Sequence, residues 1–442
     1  MARIFPFRAW RYNTAKVSLQ DVVTQPYDKI SPAMQQAYYE RSPYNLVRII
    51  LGLPELFDAE RGESVYTRAA ANLKAWREEG VLVQEKEPCI FAYSQKFTVP
   101  GSSAIKERKG FIAIGQLYDY AEQVVYRHEQ TLSKPKGDRL NLLKATRAHF
   151  GQIFMLYSDP AGSVDKLLFD DNGPADGEVT DEYGVLHRVW KVNEPAVIRQ
   201  LISQMGDKKL IIADGHHRYE TAVNYSKEHK PADAPAYSEH SLNELPHPAW
   251  PEAAVMMTFV NMDSDGLVIL PTHRVVHSLQ GFDTAKFLKA AEHFFEIEIL
   301  AATDSVGLME LLGKEKGTAF IAVTHDAAHL LRSKTAVIHA ELAAIPDRQR
   351  RLDLTHLHSI LLDKILGLNE EKVREQTNIR YLRDAAEAVD QPRRREADVT
   401  FLTNPVTMEQ LREVAFAGEV MPQKSTDFFP KLLSGLAIYG LD

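Results

Sequence analysis

A single cysteine, Cys89, stands among 442 residues. An intramolecular disulfide is therefore excluded, and the expectation is a reducing, cytoplasmic setting. In Pro88-Cys89-Ile90-Phe91 that cysteine reads as a small buried apolar side chain. No uninterrupted apolar run reaches the ~18 residues of a membrane-crossing helix. The opening Met1-Ala2-Arg3-Ile4-Phe5-Pro6-Phe7-Arg8 is broken by arginine and proline, so no secretory signal is expected there. Basic charge is not in surplus: Lys and Arg number 52 against 60 Asp and Glu, a net charge of −8. That balance argues against a dedicated nucleic-acid binder, while leaving room for a local basic pocket. No fixed-period repeat and no low-complexity tract is present.

What is there is ordinary for a globular protein, 45% hydrophobic and 25% charged. The length suffices for two or three domains with full cores. Ser31-Pro32 predicts a helix to Arg41, with Ser31 as N-cap. Leu46 to Leu51 reads as a strand, and residues 59–79 as a helix ending at Gly80. Strands are expected over 89–99 and 110–117, with Glu107-Arg108-Lys109 as hairpin punctuation between them. A helix over 137–149, strands over 152–157 and 183–192, a helix over 194–205 and a strand over 209–213 follow. The helix 218–228 precedes a loop at 230–250, long enough to be a lid or a spacer. Strands at 254–261 and 266–270 come next. Residues 282–337 read as a small α/β unit. A long amphipathic helix spans 352–366, and the tail carries a strand at 399–402 and a helix at 407–415. The organisation expected is a core over 1–274, a small α/β subdomain over 275–340, and a segment over 341–442 returning to the core. The fold class is α/β with a mixed sheet.

The most informative segment is a short apolar strand, then Asp214-Gly215-His216-His217-Arg218, then a helix. Glycine at a strand-to-helix turn lets the backbone approach a ligand closely. The first turn of a helix offers N–H groups and a partial positive charge, which together favour an anion. Arg218 adds a planar fork suited to phosphate or carboxylate. His216 and His217 can donate hydrogen bonds or shuttle protons near neutral pH. Asp214 can orient a histidine, accept a proton or hold Mg²⁺. The bland alternative is a capping Asp214 with packing histidines, but so many polar groups crowded at a strand end are costly without partners.

Other candidates surround this motif in the sequence. His128 and Glu129 precede Lys134, Lys136 and Arg139, a group suited to polyphosphate charge, with Glu129 as a general base or Mg²⁺ ligand. No second histidine follows at zincin spacing. Asp28 ends a turn after Pro26-Tyr27, where a lone aspartate is usually a cap. His273 and Arg274 end a strand. Lys424, Ser425 and Thr426 resemble the end of a Walker loop only superficially, because the upstream glycines are missing, yet the three suit an anion. His356 and His358 are two apart and point to different helix faces, a poor joint metal site. Cysteine and histidine spacing gives no structural zinc.

Gly215-His216-His217-Arg218-Tyr219-Glu220-Thr221-Ala222 resembles the Gly-x-x-Arg phosphate motif of the ParB/sulfiredoxin-like superfamily, which includes free-serine kinases. Sulfiredoxins have cysteine where this chain has His216, so their redox chemistry does not carry over. Phosphate binding by Gly215, His217 and Arg218 does, with Thr221 a further phosphate-binding candidate, and so does the expectation of a ParB/sulfiredoxin-like core. The chain as a whole also resembles a widespread bacterial and archaeal family of unknown function, often encoded beside serine-biosynthesis genes. Pro26-Tyr27-Asp28, Asn45-Leu46-Val47-Arg48, His128-Glu129-Gln130-Thr131, Asp138-Arg139-Leu140, Asp214 to Ala222, Leu270-Pro271-Thr272-His273-Arg274 and Met421-Pro422-Gln423-Lys424-Ser425-Thr426 carry that resemblance. It implies phosphotransfer to a small hydroxy compound such as serine, with Mg²⁺ and ATP or ADP. Glu129, Asp214, His216 and His217 are then the catalytic candidates. Lys134, Lys136, Arg139 and Lys424 to Thr426 would neutralise phosphate, and Asp28, His128, His273 and Arg274 would meet substrate. A phosphometabolite sensor and a phosphohydrolase are the alternatives.

Overall fold

Local signals in the chain start and stop its helices. Ser31 accepts a hydrogen bond from the Met34 amide at 3.3 Å, and the helix Pro32–Arg41 follows. Ser64 and Thr67 cap each other reciprocally ahead of Val65–Glu78, and Gly80, with φ +66°, ends that helix. Gly62, also at positive φ, separates it from the short turn Asp58–Arg61. The computed structural model describes all residues except 1, 56–57, 130–132, 171–172, 236–243 and 302–303, together with the side chains of 59 and 133–136. Residues 236–243 of the loop expected at 230–250 thus lie outside the described residues.

The chain packs as two units. One comprises Met1–Arg127, Thr131–Val268 and Pro430–Asp442, the other His128–Gln130 and Ile269–Phe429. The division falls at 268 and 429, where the sequence reading divides the chain at 274 and 340. Residues 341–429 join the second unit because Val399–Leu402 lies inside its sheet, between Ala319–Val323 and His273–Val276.

The first unit is built on a nine-stranded mixed sheet. Leu210–Asp214 lies parallel to Val125–Tyr126 and antiparallel to Ile153–Tyr157. Ala254–Asn261, buried along its whole length, runs parallel to Ile153–Tyr157 and antiparallel to Ile105–Gln116. Ile90–Thr98, Leu186–Val192 and Gly177–Thr180 extend the sheet. Helix Pro195–Met205 presents Ile198, Leu201 and Met205 to the core beneath it. Pro430–Asp442 returns to this unit, with the bridges Thr24–Ser434 and Trp10–Ile438 and the pairing of Tyr439–Gly440 with Ala148–His149.

The second unit holds a six-stranded antiparallel sheet, with Phe295–Leu300 and Ile379–Leu382 at its edges. Its long helix starts as α at Asp353–His356 and widens to π geometry over Leu357–Ile365.

Two expectations are corrected. Leu46 to Leu51 is not a strand but the helical turn Val47–Ile50. Asn45 starts it, its side chain accepting from the Val47 amide at 3.0 Å and donating to the Asp21 carbonyl at 2.7 Å. The β-branched residues are buried there, so packing overrides their extended propensity. Glu107-Arg108-Lys109 is not punctuation; it lies within the strand Ile105–Gln116. Its charge pattern misleads because Arg108 is buried, where Gln95 and the Pro430 carbonyl receive its guanidinium.

Candidate functional site

At the end of Leu210–Asp214 the pairing with Ile153–Tyr157 slips between Ile212 and Asp214. Such a bulge turns the strand and re-aims the next side chain, here Asp214. Gly215 follows at φ +96° and caps the helix His216–His229. That backbone conformation is open to glycine and strained for other residues.

Arg218 lies in the first turn, and its guanidinium rests between two glycines. A Cβ at Gly151 would sit 3.0 Å from one of its terminal nitrogens, and a Cβ at Gly215 3.1 Å from the other. The fork donates to the Gln152 carbonyl and, at 3.0 Å, to Asp214 Oδ2. Replacing Gly215 with alanine should therefore both strain the turn and push the guanidinium aside. Gly215→Ala is expected to lower stability by about 1–3 kcal/mol, read as a shift of the urea midpoint. An unchanged midpoint would show that neither the glycine nor the fork's seat matters.

Asp214 is half-buried, and burial by itself would raise its pKa. Lys431, Arg218, Lys29 and His216 overcome that and hold the carboxyl well below the usual range. Asp214 is thus ionised at neutral pH and a weak base. Lys431 reaches this neighbourhood from the far end of the chain. Gln95 donates to the Lys431 carbonyl at 2.8 Å, and Gln152 donates to that of Leu433 at 3.1 Å. Behind Gln95 lies a buried chain of polar groups: His187 Nδ1 meets Tyr93 at 2.7 Å, and His187 Nε2 meets Asp181 at 3.1 Å.

Arg218 also lines a cavity of about 60 Å³, together with Tyr27, Arg139, His149, Gly151 and Thr221. A water needs roughly 10–15 Å³ by this measure, so the space suits a phosphate or carboxylate group rather than a whole nucleotide. The charged liners are the two arginines. Arg139 stacks 4.0 Å above the Tyr27 ring and is held by Asp138 and the Ile50 carbonyl. Thr221 is 5% exposed, and its hydroxyl has no hydrogen-bond partner among the described residues. His149 has its pKa pushed down to about 4 by burial and is neutral at pH 7.

Of the sequence candidates, the first unit holds Arg139, Asp214, Gly215, His216, His217, Arg218 and Thr221, with Asp28 exposed on the turn Tyr27–Lys29. His216 is buried and His217 half-buried in the first turn of the helix. The side chains of Lys134 and Lys136 lie outside the described residues. The second unit holds His128, Glu129, His273, Arg274, Lys424, Ser425 and Thr426. There His128 Nε2 meets Thr426 Oγ1 at 2.7 Å, and the Ser425 hydroxyl donates to the Pro422 carbonyl. The Arg274 guanidinium is buried and donates to the carbonyls of Thr272, Gln423 and Lys424. Lys424 is exposed, at φ +56°. Glu129 is half-buried and bears on Arg274.

Sequence reasoning missed Tyr27, Lys29, His149 and Lys431 as parts of this neighbourhood. Pro26-Tyr27-Asp28 drew attention to the carboxylate, whereas the ring lines the cavity. Nothing local to His149 or Lys431 marks them, since both are placed by pairings distant in sequence.

Among the described residues no group of three or more His, Cys, Asp and Glu is arranged to hold a metal ion, and no helix is long and apolar enough to cross a membrane.

No curated protein matches this chain. Several solved structures resemble it in part. A free serine kinase mutant in complex with AMP shares 11% identity, covering 71% of this chain and 89% of that one, at a TM-score of 0.35. A conserved hypothetical protein from Pyrococcus furiosus shares 12%, covering 71% and 92%, at 0.34. SbnI with a C-terminal truncation, from Staphylococcus aureus, shares 10%, covering 71% and 84%, at 0.33. The model of a family described as "Protein of unknown function (DUF1015)" matches residues 4–355. With most of its length matched, from the first strand through the anion-suited turn to the long helix of the second unit, the chain belongs to the DUF1015 family.

Proposed function

We propose that the first unit binds the phosphate group of a small metabolite between Arg139 and Arg218, and that the chain transfers a phosphoryl group to a small hydroxy compound such as serine. The observation that carries the binding step is one of charge. Two guanidiniums and a buried, unpartnered Thr221 hydroxyl line one cavity of about 60 Å³, and both carboxylates that hold the arginines are absent from its lining.

In this reading Arg218 and Arg139 take the anionic oxygens, and Thr221 donates to one of them. Asp214 keeps the fork of Arg218 in register rather than accepting the acceptor's proton, because its low pKa makes it a weak base. Lys29 and Lys431 add positive potential around it. His149, uncharged at neutral pH, is a hydrogen-bonding liner. Catalysis of this kind rests on positioning and charge stabilisation.

ATP or ADP would be the phosphoryl donor, its base and ribose lying outside so small a cavity. A resident Mg²⁺ fits these residues poorly, since Asp214 is ringed by cations; a metal would travel on the nucleotide's own phosphates. The cytoplasm, where such nucleotides are abundant and Cys89 stays reduced, is the compartment that suits this reaction.

A second reading is favoured by one observation: no carboxylate lines the cavity, so a general base is not evident there. The site would then sense a phosphometabolite without turning it over. One experiment separates the two. Purified chain is incubated with Mg²⁺, ATP or ADP, and a panel of amino and hydroxy acids, and phosphorus NMR follows the products. A new phosphoester resonance is expected. Saturable binding with no new resonance would favour sensing, free phosphate without acceptor would indicate hydrolysis, and neither binding nor turnover would remove the proposal.

A further inference from the structure

The second unit has a cavity of its own, about 350 Å³ in volume. One wall is the long helix, from which Thr355, His358 and Ser359 contribute. All three line the same space. Just past Thr355 the helix widens to π geometry, with the Leu366 amide donating to Leu361 at 3.1 Å. Such widening is rare overall and frequent at functional sites.

The helix wall is polar, and Asp363 makes its outer end charged. Thr355 is 4% exposed, yet its hydroxyl has no hydrogen-bond partner among the described residues. A buried hydroxyl left unpaired costs stability unless something arrives to bond it. His358 Nε2 lies 3.4 Å from an Arg274 nitrogen. Arginine only donates, so Nε2 is the acceptor and Nδ1 carries the proton. Arg274 also donates to the carbonyls of Gln423 and Lys424, which fixes the opposite wall at Gln423. The charged liners are Asp363 and Glu370, both exposed at the mouth, with no lysine or arginine among the lining residues.

We infer that this pocket binds a small molecule bearing a protonated amine and a neighbouring hydroxyl, the ammonium meeting Asp363 and Glu370 and the hydroxyl meeting Thr355 and His358. An anion is disfavoured by the two carboxylates, and a purely apolar guest by the unpaired hydroxyl. The ligand is thus opposite in charge to the one assigned to the first unit, and neither proposal depends on the other.

Ethanolamine carries both groups and is the probe. Titrated into the full chain, it should produce a saturable shift of the His358 ring resonances, assigned by their loss in His358→Gln. Thr355→Val keeps the volume but removes the hydroxyl, and should weaken binding about fivefold to tenfold. Thr355→Ser restores the hydroxyl and should bind like the parent, which separates a lost contact from a damaged fold. Asp363→Asn should weaken binding about threefold, and added salt should do the same. The inference is overturned if ethanolamine gives no saturable shift, if Thr355→Val and Thr355→Ser behave alike, or if inorganic phosphate saturates the same resonances instead.

Discussion

Arg218→Ala is expected to weaken binding of inorganic phosphate, or of a phosphate-bearing metabolite, by about a hundredfold or more. A charged hydrogen bond is worth about 1.5–3 kcal/mol, and the planar fork can make two to one phosphate, where each 1.4 kcal/mol is about tenfold in affinity. Arg218→Lys keeps the charge but loses the fork, so its affinity should fall between the two. Arg139→Ala should show a smaller loss, because that side chain lines the same cavity while also stacking on Tyr27. Arg218 holds the Gln152 carbonyl and Asp214 as well, so Arg218→Ala should also lose about 1–3 kcal/mol of stability. Calorimetric titration is therefore done well below the variant's melting temperature. The proposal fails if Arg218→Ala binds phosphate as tightly as the parent, since the fork would then serve only its own carboxylate.

Acidification should unfold the second unit through its buried histidines. His273 and His356 are each 1% exposed. Burial pushes His273 down to about 4, Arg274 adding to the shift and Asp384 opposing it. Burial likewise takes His356 to about 4, although its hydrogen bond to the Arg350 carbonyl works the other way. The bonding agrees with neutral rings. His273 Nδ1 accepts from the Thr403 amide at 3.3 Å, and His356 Nε2 meets the Arg350 carbonyl at 2.9 Å while Nδ1 faces the Ser333 hydroxyl. An unfolded histidine titrates near 6.5. As pH falls below that value the unfolded chain takes up protons that the folded unit refuses, so stability drops until about pH 4 and then levels off. Within the window each histidine contributes about 1.4 kcal/mol per pH unit, so the pair together contribute close to 3. His358 is driven the same way by burial and Arg274. Urea unfolding compared at pH 6.5 and pH 5 reads the effect, because most carboxylates titrate lower, and His149 of the first unit adds to it. His273→Gln or His356→Gln should each flatten the dependence. Equal stability at the two pH values would mean the folded unit accepts the protons after all.

The turn at Asp214 to Arg218 could be read directly from the chain, because its physics is local: a glycine that must adopt positive φ, a helix start, and an arginine one turn in. The cap at Ser31 and the stop at Gly80 were legible for the same reason, whereas the start of that second helix at Ser64 was not. The α/β class also followed, since the alternation of apolar runs with helical periodicity survives any arrangement of the elements. Leu46 to Leu51 shows the limit. Its β-branched run carries an extended propensity worth little, and the burial of Val47, Ile49 and Ile50 in a helical turn outweighs it.

The sequence by itself determined the glycine turn, the helix start behind it and the place of Arg218 in the first turn. Only the tertiary structure decided the company that turn keeps. Strand pairing brings His149 to the cavity wall, and the return of the last residues to the first unit brings Lys431 beside Asp214. The same packing ties Arg218 to Asp214, surrounds that carboxylate with positive charge, and assigns Glu129 and Arg274 to the second unit. Electrostatic and packing terms fall off within a few ångströms, so they depend on distances in space, and separation along the chain does not fix those distances.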